Sequence, residues 1–152
     1  MTTMLEQRRI EAGIVKPLVR AFEKELGRER TRAVLAGVIR ELAVEAGRAF
    51  RAGEADDSAL ALARKTERFS AGGALEVEVL HSSPDAYHFN VTRCRYAEMY
   101  RELGLAELGY TLSCNRDAAF VEGFSPGLRL TRTQTLMEGA PFCDFRYERR
   151  RD

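Results

Sequence analysis

The sequence predicts an α+β fold in which N-terminal helices pack on an antiparallel sheet of about four strands. Three observations carry this. Apolar residues recur at helical spacing up to about Phe50. The pattern then breaks at Ser70-Ala71-Gly72-Gly73 and switches to strict alternation. Finally, Leu128 to Tyr147 has the strand–turn–strand composition of a hairpin.

Met4 to Ala12 reads as a short helix. A second begins near Ile14, where Ile14, Val15, Leu18, Val19, Phe22 and Leu26 follow helical spacing. Pro17 is tolerable in its first turn and Gly27 ends it. Thr31 to Phe50 forms a longer helix whose apolar stripe includes Val34, Val38, Ile39 and Leu42, with Arg40, Glu41 and Glu45 turned to solvent. Asp57 or Ser58 caps a third helix that runs to about Arg68. Leu75, Val77 and Val79 alternate with glutamates as a half-buried strand, Ser82 to Asp85 turns, and Ala86 to Thr92 returns. On the returning strand Tyr87, Phe89 and Val91 face one way; His88, Asn90 and Thr92 face the other, and the same parity carries Cys94 to the His88 side. Arg95 to Leu103 is helical, and Asn115 to Phe120 begins a helical turn with Ser113 as its cap. The expected core includes Val34, Val38, Leu42, Leu75, Val77, Phe89, Phe145 and Tyr147.

The 152 residues make one domain, residues 1–70 helical and 71–152 carrying the sheet and the site. Hydrophobic and charged contents of 45% and 31% are those of a globular protein, and a net charge of +1 exerts no general pull on nucleic acid or membrane. No apolar run approaches the roughly 20 residues that span a bilayer. The N-terminal stretch lacks an apolar signal core, so a cytoplasmic location is expected. The basic Arg149-Arg150-Arg151 run is short and lacks interleaved aromatics, so no nucleic-acid partner is expected. No Gly-rich phosphate loop occurs, and no cofactor is expected. Three cysteines are an odd number and suit free thiols better than a disulfide framework. Cys94, Cys114, Cys143 and His88 include no tight metal-binding pair; a structural zinc on four dispersed ligands is the minor reading, and no metal is assigned.

Chemistry concentrates at Cys114-Asn115-Arg116-Asp117, where a thiol, an amide, a cation and a carboxylate share one turn's length. At a helix start, Cys114 would be a stabilised thiolate and a candidate nucleophile, with Arg116 acting in the same direction. The competing reading is a buried cysteine packed as a small hydrophobe. The proton carrier is either His88, remote in sequence, or Asp117. Arg132, on the penultimate strand, has the planar fork that clamps a carboxylate; Asn90, Asn115 and Thr133 complete the substrate-binding candidates. Thr133 also suits a strand simply as a β-branched residue.

Several of these residues recur as an ordered set: Arg93-Cys94-Arg95-Tyr96-Ala97, Cys114-x-x-Asp117, Pro126-Gly127-Leu128, Arg132-Thr133-x-Thr135-Leu136, and Gly139-x-x-x-Cys143-Asp144-Phe145. From Tyr87 to Tyr147 the chain resembles the L-2-amino-thiazoline-4-carboxylic acid hydrolase family. That resemblance implies a small hydrolase opening a cyclic C–N bond of a heterocyclic carboxylate, with Cys114 attacking the ring carbon and water releasing the enzyme. The Gly-x-x-x-Cys-x-Phe hairpin also resembles the 4-vinyl-reductase-type regulatory domains, which implies a non-catalytic small-molecule-binding domain instead. Homo-oligomer formation is left open by both.

Overall fold

The computed structural model describes residues 1–151. Thr3 starts the first helix, α1 (Met4–Leu26). Its hydroxyl accepts from Glu6 N at 3.2 Å, and the Glu6 carboxylate accepts from Thr3 N at 2.7 Å, satisfying two orphan donors reciprocally. The break expected near Gly13 does not occur. Pro17 removes a hydrogen bond to the Gly13 carbonyl, but both residues are exposed and water can take that carbonyl. Gly27 joins α1 to α2 (Arg28–Arg51) as a single-residue link at φ 83°, a conformation that favours glycine.

The core face of α2 differs from the expected stripe. Thr31, Ile39, Ala43 and Gly47 are buried, whereas Val34, Val38 and Leu42 are exposed, Val34 by 58%. The cause is helix α6 (Arg116–Phe124), which crosses α2 at backbone distance. A Cβ at Gly47 would overlap the Phe120 carbonyl, and one at Gly123 would overlap the Val44 carbonyl. Small residues therefore define the packed side of α2, and the larger aliphatics are rotated off it.

Ser58 caps α3 (Ala59–Thr66), its hydroxyl accepting from Ala61 N at 3.1 Å. A 3-10 segment, Glu67–Gly73, leads to β1 (Leu75–Ser82) and β2 (Ala86–Cys94). Two further strands, β3 (Leu128–Thr131) and β4 (Cys143–Arg149), complete an antiparallel sheet of order β1-β2-β4-β3. The expected fold class is thus the observed one. Register sets Tyr87 beside Tyr147, Phe89 beside Phe145 and Val91 beside Cys143. These six residues form the sheet's inner face. Phe89 and Tyr147 are buried, while Leu75 and Phe145 are partly so. Val77, on the edge strand β1, is 38% exposed, because β1 has a sheet neighbour on one side only.

After β2 the chain enters α4 (Arg95–Glu102) and α5 (Ala106–Gly109), then a π-helical turn at Tyr110–Cys114 that runs into α6. The core divides in two. One cluster joins α1, α2, α4 and α5 through residues such as Val19, Ile39, Tyr100 and Leu108. The other joins the sheet to α3 and α6 through Leu62, Val91, Phe124 and Leu128. Fully buried side chains of this size each contribute about 1.5–3 kcal/mol. No helix among the described residues is long and apolar enough to cross a membrane.

Candidate functional site

Between the two core clusters lies a cavity of about 250 Å³. The inner sheet face forms one wall through Tyr87, Phe89, Phe145 and Tyr147. Phe50, Phe69 and Phe120 form another, with Phe120 edge-on to both Phe50 and Phe69 at centroid distances of 5.0 and 5.7 Å. The lining is mostly apolar; its polar end is built by Cys114, Arg116, Asp117 and Arg132. α1 contributes Met4 and Arg8.

Arg132 organises the polar end. Its Nη1 donates to Asp117 Oδ2 at 2.5 Å and its Nη2 donates to the Cys114 carbonyl at 3.1 Å. The guanidinium also stacks on the Phe145 ring at 4.9 Å. Burial opposes the charge on Arg132, but the charge and hydrogen bond of Asp117 outweigh it and hold the guanidinium above its usual value. Burial pushes the Asp117 carboxyl up, with Arg132 acting against that rise. About a third of the Asp117 side chain is accessible, and Asp117 lines the cavity. Arg132 itself lies just past β3 rather than on it.

Cys114 also lines the cavity, but not at a helix start. The π turn carries the helix through it into α6, and no Ser113 side-chain hydrogen bond caps that helix. Burial drives its thiol well above the ordinary range, and the Asp117 charge pushes the same way. The expected thiolate stabilisation is therefore reversed. A π turn of this kind is frequent at functional sites.

Four expected partners lie elsewhere. His88 and Asn90 project from the sheet's outer face, His88 Nε2 3.0 Å from Glu148 and Asn90 accepting from Arg146 at 3.0 Å. Neither lines the cavity. Asn115 donates to the Ala36 carbonyl at 3.2 Å and so ties the start of α6 to α2. Thr133 donates through N and Oγ1 to Asp144 at 2.9 and 2.6 Å, which shapes the loop after β3. The structure thus brings together Cys114, Asp117 and Arg132, and leaves His88, Asn90, Asn115 and Thr133 outside.

All three thiols, free in the structure, line the cavity. Cys94 arrives there against simple strand parity. The β1–β2 pairing jumps from Val77–Val91 to Glu76–Arg93, and this bulge leaves Thr92 unpaired and returns Cys94 to the inner face. Its Sγ accepts from Ala97 N at 3.4 Å, capping α4, and burial pushes the thiol up to about 11. Cys143 Sγ accepts from Leu136 N at 3.2 Å. Among the described residues no group of three or more His, Cys, Asp or Glu side chains is placed to hold a metal ion. Arg8 and Tyr96 were not legible as cavity residues, since an arginine and a tyrosine on amphipathic helices carry no local signal of a lumen.

The fold and the cavity define a small α+β domain with a mostly apolar internal cavity. The chain belongs to the L-2-amino-thiazoline-4-carboxylic acid hydrolase family, whose model matches residues 7–147. In structure it is similar to the phenol-responsive sensory domain of the transcription activator PoxR, solved with phenol. The likeness has a TM-score of 0.52 at 14% identity and covers 90% of this chain and 73% of that one, which establishes a shared fold. No curated protein matches the chain in sequence.

Proposed function

We propose that this protein encloses a small ring compound with one polar substituent, the ring between the aromatic walls and the substituent at the Asp117–Arg132 end. The observation that carries this is the cavity itself: about 250 Å³, aromatic on two sides, with the Asp117–Arg132 ion pair and Arg116 at one end. An apolar cavity of roughly 150 Å³ already accepts benzene, so this one has room for a substituted ring. A sensory domain of like fold, solved with phenol, supports the same ligand class. Calorimetry and thermal-shift titration with phenols, benzoates and heterocyclic carboxylates test it. Saturable binding that Val91→Trp abolishes, in a variant that still folds, is the expected result; no binding by any ring compound overturns it.

A second reading is favoured by family membership and by the Asp117 carboxyl, which burial pushes up and which opens onto the cavity. In it the same cavity hydrolyses a cyclic C–N bond. Water adds to the ring carbon, and one of its protons passes through Asp117 to the ring nitrogen; as the adduct hydroxyl becomes a carbonyl its proton follows the same route, and the nitrogen leaves as the amine. Arg132 would hold the substrate carboxylate, and Cys114 would attack in place of water in the covalent variant of the scheme. A product one water heavier than a thiazoline carboxylate, seen by mass spectrometry and lost in Asp117→Asn, separates this reading from binding alone.

A further inference from the structure

α1 turns a continuous apolar stripe to solvent: Ile10, Ile14, Leu18, Phe22 and Leu26 are all exposed, Ile14 by 64%. In the adjoining row, Gly13, Pro17 and Ala21 are exposed without charge. Val34, Val38 and Leu42 extend the patch on α2. They occupy the flank of α2 away from α6, because Arg40 reaches Glu122 of α6 from the opposite flank at 2.8 Å. Together the eight large side chains expose on the order of 800 Å², about one partner's share of a standard protein–protein interface. That exceeds the roughly 300–600 Å² of the largest patch on a typical monomer.

The spacing of the α1 stripe identifies the occupant. Its five residues fall every fourth position and are symmetric about Leu18. In an antiparallel pair crossing at Leu18, Leu18 meets its own copy and Ile14 meets Phe22; Ile10 and Leu26 lie at the two ends of the row, which winds ~40° per step. A two-fold interface demands this self-complementarity, residue i against j and j against i. Rows at i±4 also interdigitate helix on helix. Lys16 and Arg20 lie on the opposite side of α1, bonded to the Leu103 carbonyl and to Glu107, and stay clear of the pairing; beside the stripe stand Glu11, paired with Arg8, and the exposed Glu25. We propose that α1 is the centre of an isologous interface between two copies of this chain, antiparallel about Leu18 and flanked by the α2 stripe. This lies beyond the ligand-binding reading and stands whether or not that reading does.

Sedimentation velocity on the full chain tests it, with far-ultraviolet circular dichroism as the folding control. The native chain should sediment at twice the chain mass across the micromolar range. Ile14→Glu and Phe22→Lys should each shift it to the monomer with helicity unchanged, since both positions are exposed. The double variant Ile14→Glu/Phe22→Lys should recover the dimer, because antiparallel pairing sets each glutamate against a lysine. A monomeric native chain, a dimer indifferent to Ile14→Glu, or a double variant that stays monomeric overturns the proposal. Should a single variant fail to fold, oxidative cross-linking of Leu18→Cys decides the matter: only residues near the two-fold axis come within the ~4.4–6.8 Å Cα separation of a disulfide, and a chain that does not cross-link there overturns it.

Discussion

Arg132 and Asp117, 15 positions apart in sequence, meet at 2.5 Å at the polar end of the cavity. Asp117 comes from the first turn of α6 and Arg132 from the loop after β3, so their pairing exists only when helix and sheet are closed together. The pair is both the structural joint of the cavity and its charged surface.

Removing Arg132 strands the Asp117 carboxyl, of which about a third stays accessible. Arg132→Met should therefore destabilise the fold by about 1–3 kcal/mol at neutral pH, less than the ~3–5 kcal/mol of a fully buried broken pair. The double variant Arg132→Met/Asp117→Leu should recover most of that loss. Urea unfolding of the three proteins measures it; a single-variant loss below about 1 kcal/mol would show the pair to be solvated.

The thiols should be slow to alkylate. Burial raises Cys94 and Cys114, so neither is a thiolate at pH 8. Iodoacetamide should label the native chain far more slowly than the urea-unfolded chain. Rapid stoichiometric labelling of Cys114 would instead restore it as a nucleophile.

Alkaline stability follows from the same shift. Cys94 moves from 9.0 to about 11, so between those values the folded state holds a proton that the unfolded state has lost. Stability is therefore complete below about pH 9 and falls as pH rises toward 11, by at most about 3 kcal/mol. Cys94→Ala should flatten that part of the profile, measured by chemical unfolding at stepped pH.

Gly123→Ala should be among the most damaging single-methyl changes in the chain. The added Cβ overlaps the Val44 carbonyl, and backbone on both helices must move to admit it. A loss of about 3 kcal/mol or more is expected, beyond ordinary overpacking of about 1–3 kcal/mol. Gly37→Ala, where nothing lies within 4 Å, should be neutral or stabilising. Melting temperatures of the two variants compare them directly.

Local pattern determined the kinds of element and the fold class. Alternation placed Phe89, Phe145 and Tyr147 on one sheet face, because side chains in a strand have only two directions. The cluster at Cys114 to Asp117 and the isolated Arg132 were legible as chemistry-bearing residues because such groups are costly to place where nothing uses them. Tertiary structure decided the rest. Which side of α2 is core depended on the Gly47–Gly123 crossing with α6, since close backbone approach, not aliphatic content, selects the packed face. The bulge opposite Val77 decided that Cys94 enters the cavity, a register event that parity cannot anticipate. The sheet's two faces separated His88 from Cys114. The Cys114 environment, a buried π turn beside a carboxylate, replaced the helix terminus that its neighbours implied. A side chain's reactivity depends on what the fold brings around it, and here those groups come from β2, β4, α6 and the loop after β3.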